Sequence, residues 1–315
     1  MLRLYDVSSG QVAGIRPAHP RELRVLAITA EVPAEPDPGQ LRAWLLPDLI
    51  RRCAERRSLV PTICEITGAT SPEAVAPAGH AAARAALNIH PPARIAPATE
   101  PAERTAEFVA PGRASGRASG RAGGPPPFDI GTGEPGWFAG RAFARLLAAP
   151  TGTVTAGTHQ QSAGGHRKTA GGHQETAAAH REAGPGSAPP ALPDMAARGL
   201  DALALRLVFL GRRYRDDLAL TWDTLHAAGK TLQRWRESVA QWALSPSAPI
   251  FPRYADAVTA AFEDDLDTPA ALRELDALAA DREVPPGAKF ETFAALDRLF
   301  GLDLARDIGK VSAPR

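Results

Sequence analysis

A seven-residue repeat without a large apolar residue governs what this chain can fold into. It reads His159-Gln-Gln-Ser-Ala-Gly-Gly, His166-Arg-Lys-Thr-Ala-Gly-Gly, His173-Gln-Glu-Thr-Ala-Ala-Ala, His180. Such a stretch buries too little surface to offset the entropy of ordering it. Residues 150–195 therefore read as a low-complexity insert. A second biased stretch repeats Arg-Ala-Ser-Gly and runs into three prolines ending at Pro127. Its composition suits a flexible linker over residues 111–134. What remains is residues 1–110, a short piece over 135–149, and residues 196–315.

Those blocks carry different periods. Leu23–Ile28 and Val60–Ile66 are apolar runs of strand length. Between them Leu41, Leu45, Leu46, Leu49, Ile50 and Cys53 recur at helical spacing, with Pro47 expected to kink the helix or delay its start. His80–Leu87 is Ala-rich and helical. Strand, helix, strand in that order predicts a parallel sheet. Trp137–Leu147 reads as one amphipathic helix. Beyond Ala196 the spacing predicts helices near 198–213, 221–244, 252–264, 269–281 and 287–300. Short loops between them predict a small antiparallel bundle.

Charge excludes little and favours nothing: 36 Lys+Arg stand against 35 Asp+Glu in 315 residues. No global field points to nucleic acid or to a membrane. Cys53 and Cys64 are too few and too close for a disulfide framework, so a reduced, cytoplasmic setting is expected, with both thiols packed as small hydrophobes. The opening Met1-Leu-Arg-Leu-Tyr-Asp has no apolar leader, and the apolar run near Leu203–Leu210 is far short of a membrane span. Trp222, Trp235 and Trp242 suit one buried side of helices. His19 and His90 adjoin prolines, as turn residues do.

Three stretches together resemble cysteinyl-tRNA synthetase and its relative, the ligase that joins cysteine to a glucosaminyl-inositol in mycothiol synthesis. The first is Leu2-Arg-Leu-Tyr-Asp with His19-Pro20 and Leu23-Arg24-Val25. The second runs from Leu87-Asn88 through Pro91-Pro92-Ala93-Arg94-Ile95 to Ala98-Thr99-Glu100. The third comprises Ala204-Leu-Arg206-Leu, Tyr214-Arg215, Trp222, Trp235-Arg236 and Asp264-Asp-Leu-Asp-Thr268-Pro-Ala-Ala-Leu272. About two-thirds of the chain is covered. The resemblance implies a Rossmann-like α/β remnant followed by an α-helical bundle, interrupted by disordered inserts.

The departures from that family fall on its chemistry. Its first zinc-ligating cysteine aligns with Ile28. Its two phosphate-binding histidines fall in Pro36-Asp37-Pro38-Gly39-Gln40, which leaves Asp37, Gly39 and Gln40 as a degenerate nucleotide motif. The second zinc cysteine aligns with Arg141. The last zinc ligands and the mobile lysine loop have no counterpart, and the His tract stands in their place. Zinc needs thiolate, imidazole or carboxylate ligands, and isoleucine supplies none. Removing one preplaced donor from a developing phosphate charge typically costs ~10²–10³ in rate. The chain is therefore expected to bind without catalysing, with no catalytic residue and no cofactor. ATP and zinc follow only if the family's activity were kept.

Other residues invite sharper readings. His159, His166, His173 and His180 can gather round Ni²⁺ or Zn²⁺ if flexible. On a helix, however, successive histidines would lie ~10 Å apart, and Gly164-Gly165 and Gly171-Gly172 oppose a helix; the plain reading is a solvated linker. Arg212, Arg213, Tyr214 and Arg215 can touch tRNA phosphate and stack a base, whereas Asp216-Asp217 blunt the patch and point to a solvated helix end. The expected partners are tRNA, a synthetase or a residual small molecule, with no membrane. The rival expectations are an active ATP-dependent ligase that uses Asp37, Gln40 or Arg141 in new roles, and a chain with no retained role.

Overall fold

The computed structural model describes residues 1–29, 35–67, 78–97, 128–132, 144–148, 151–157 and 189–310. A parallel sheet of five strands lies at its centre. Its strands are β3 (Glu22–Thr29), β4 (Val60–Thr67), β5 (Arg94–Pro97), β6 (Phe128–Thr132) and β7 (Ala144–Leu147), in the spatial order β5-β4-β3-β6-β7. β3 and β4 are nearly continuous apolar runs, as strands covered on both faces must be. A hairpin of β1 (Arg3–Asp6) and β2 (Gln11–Gly14) precedes them. The helix α1 (Pro38–Arg56) joins β3 to β4, and α2 (Ala78–Ala86) lies between β4 and β5. Pro47 sits inside α1 without ending it.

The rest is mostly helical: α3 (Leu192–Ala197), α4 (Ala202–Leu210), α5 (Trp222–Trp242), α6 (Pro252–Glu263), α7 (Thr268–Ala280) and α8 (Pro286–Phe300). Their caps match their sequences. Asp201 caps α4, Thr221 and Thr224 form a capping box on α5, and Asp267 caps α7. A parallel pair, β8 (Val154–Ala156) with β9 (Leu218–Leu220), lies among these helices. One apolar cluster runs from Leu4, Val25 and Ile63 through Trp44 and Leu49 to Leu205, Trp235, Phe262 and Phe300. The sheet and the C-terminal helices therefore share a core. Cys53 and Cys64 are both buried and free, as expected.

Three expectations need correction. β6 lies inside the stretch read as linker over 111–134, and all five of its residues are buried. Its Asp129 carboxylate accepts from the backbone N–H of Ala18 at 2.7 Å and of Arg24 at 3.0 Å, so a polar residue survives inside a central strand. Ala144–Leu147 is a strand paired with β6, not the end of an amphipathic helix. A run of that length cannot be assigned by period alone. Finally, the stretch read as insert over 150–195 begins with β8 and ends inside α3.

Candidate functional site

The order of parallel strands reverses between β3 and β6. In open sheets of this kind, ligands enter at the carboxyl ends of strands where the order reverses. β3 ends there at Thr29, and α1 begins shortly after it. The free N–H groups of a helix's first turn favour an anion.

The chain fills that place with its own carboxylate. Asp37 is the N-cap of α1; its Oδ1 accepts from the Gln40 N–H at 2.9 Å, and Gln40 Oε1 accepts from the Asp37 N–H at 3.1 Å. This is a complete capping box. Gly39 lies close beneath it, since a Cβ there would stand 3.1 Å from Asp37 Oδ1. A triphosphate approaching this turn would meet a negative charge where imidazoles would have donated. The residues present do not fit a nucleotide's phosphates.

They do not fit zinc either. Ile28 packs against the buried cluster of Leu26, Cys64, Ile66 and Phe128. Burial pushes the Cys64 thiol up to about 11, so it is held as a thiol rather than a thiolate. Among the described residues no group of three or more His, Cys, Asp or Glu is placed to hold a metal ion. Arg141 and the four tract histidines lie outside the described residues.

Behind this edge, Glu65 on β4 is almost wholly buried. It accepts from Thr29 Oγ1 at 2.9 Å, from Trp44 Nε1 at 3.0 Å and from the Arg84 guanidinium. Arg84 stacks on the Trp44 ring at 4.0 Å, and His80 meets the same ring edge-on at 5.1 Å. Burial lowers the Arg84 pKa, and Glu65 opposes that shift. Every group in this cluster faces another group of the protein.

The larger feature that sequence reasoning missed is Asp48, in the middle of α1. Its Oδ2 takes Arg52 Nε at 2.8 Å and Arg206 at 2.9 Å, while its Oδ1 meets the His90 N–H at 3.1 Å and His90 Nδ1 at 2.7 Å. Burial alone would raise its pKa. Arg206, the His90 hydrogen bond and Arg52 together hold it well below the usual carboxylate range. Arg206, wholly buried, also donates to the carbonyls of Phe300, Leu87 and Asn88, and burial lowers its pKa to about 10 against the pull of Asp48. Gly301 closes the cluster at φ +64°, and a Cβ there would lie 2.8 Å from both guanidinium groups. The only sequence signal was Arg206 within an apolar helix.

Arg212–Arg215 come together only in part. Arg42 of α1 donates to the carbonyls of Gly152, Arg213 and Asp216 at 2.6–3.0 Å and so pins the loop. Arg213 pairs with Asp267. The Tyr214 hydroxyl donates to Asp265 Oδ1 at 2.9 Å, and Arg215 pairs with Asp265 Oδ2 at 2.7 Å while covering Tyr5. Tyr214 is buried, so its ring offers no face to a base, which corrects the stacking role expected of it. Arg212 is exposed.

Fold and edge together define the class: an α/β chain with a parallel sheet followed by helices, whose helix N-terminus at the strand reversal is self-capped. No family model matches it. Over 111 residues it is 38% identical to an L-cysteine:1D-myo-inositol 2-amino-2-deoxy-alpha-D-glucopyranoside ligase of Gordonia bronchialis, which is 34% of this chain and 26% of that relative. Over 107 residues it is 36% identical to the ligase of the same name from Nakamurella multipartita, covering 34% and 24%. It is 28% identical over 140 residues to the cysteine–tRNA ligase of Treponema denticola, covering 37% and 28%. The chain is thus similar to cysteine ligases of both kinds, and the match spans about a quarter of the length of these relatives. Among the described residues no helix is long and apolar enough to cross a membrane.

Proposed function

We propose that this chain is a cysteinyl-tRNA-synthetase-like protein that does not activate cysteine and acts by binding. The observation that carries the reading is the Asp37–Gln40 box, which satisfies the N-terminus of α1 internally and leaves a carboxylate where phosphates would lie. Ile28 supports it by removing the zinc–thiolate contact through which the resembling family selects cysteine. The order β5-β4-β3-β6-β7 supports a Rossmann-like reading of the sheet, because the first three strands in sequence run outward to one edge and the next two run to the other. The successive helices α4–α8 support the reading of an α-helical bundle.

As for what is bound, charge favours a protein over tRNA. Residues 189–310 carry 19 acidic against 15 basic side chains. Two of the expected phosphate contacts, Arg213 and Arg215, are engaged by aspartates. Phosphate contacts dominate nucleic-acid affinity, and an acidic surface opposes them.

The test is ATP–pyrophosphate exchange on folded, purified protein, with cysteine and a panel of other amino acids, with and without Zn²⁺. The expected result is exchange at the blank rate throughout. Exchange with cysteine would overturn the proposal, and exchange with another amino acid would make the chain a repurposed ligase.

A further inference from the structure

We draw no further inference here: the strongest candidate, the open cleft between the end of α2, the α3–α4 connection and the segment 303–310, is lined by Asp201, which already holds Arg236 and Arg306, and by Asp307, which holds Lys310, and nothing in the structure shows what covers it.

Discussion

The helix α1 is put to opposite uses at its start and at its middle. At its N-terminus, Asp37 and Gln40 form an exposed box that reaches no further than its own first turn. Three turns on, Asp48 and Arg52 form a buried junction with Arg206, His90 and Gly301, which belong to three other parts of the chain. The comparison teaches where this chain's polar chemistry lies. Charges at the reversal edge satisfy a helix end, and charges in the interior hold the sheet to the helices. At the reversal edge Asp37 and Gln40 bond to each other, while the charges of the junction are partnered across the chain.

The strongest way to break the comparison is Asp48→Ala. Removing one partner of a buried ion cluster leaves uncompensated charge on Arg52 and Arg206, so a loss of about 3–5 kcal/mol is expected in denaturant unfolding. A loss near zero would show that the junction is not what joins the two parts.

Gly301→Ala should come next. It places a Cβ against both guanidinium groups at a positive φ, and about 1–3 kcal/mol is expected from thermal or urea melts.

The same junction predicts a pH response. The folded Asp48 pKa lies below its unfolded value, so its contribution is present above the unfolded pKa, about 3.9, and is lost as pH falls toward the folded value. Stability measured on acidification should therefore fall below about pH 4. Asp48→Asn should flatten that limb, and an unchanged slope would assign the acid sensitivity elsewhere.

At the start of α1 the effect shrinks. Asp37→Ala removes one cap and should cost about 1 kcal/mol, with no gain of pyrophosphate exchange. Exchange appearing in this variant would mean that the carboxylate had been masking a working site. Smallest of all is Arg212→Ala, an exposed change expected within about 0.5 kcal/mol. A large effect there would reveal a contact that the fold does not account for.

Much of this was legible beforehand. The apolar runs of β3 and β4, the helical spacing of α1 and the helices after Ala196 all carry their period locally. Residue type alone also fixes that Ile28 cannot ligate a metal and that Asp37 brings a carboxylate to the start of α1. β6 was hidden because Phe128–Thr132 is short, holds Asp129 and Gly131, and follows a run of prolines. β7 was hidden because four residues carry no distinguishing period. The stacking role of Tyr214 failed because exposure is not written in a charge run; Asp265, fifty-one residues away, claims its hydroxyl.

The sequence by itself determined the longer strands and helices and which side chain types stand at each position, since both follow from residues acting on near neighbours. Only the tertiary structure decided which charges are buried together and which edges stay in solvent. Asp48 and Arg206 are 158 positions apart, and burial around such a pair depends on how the whole core closes.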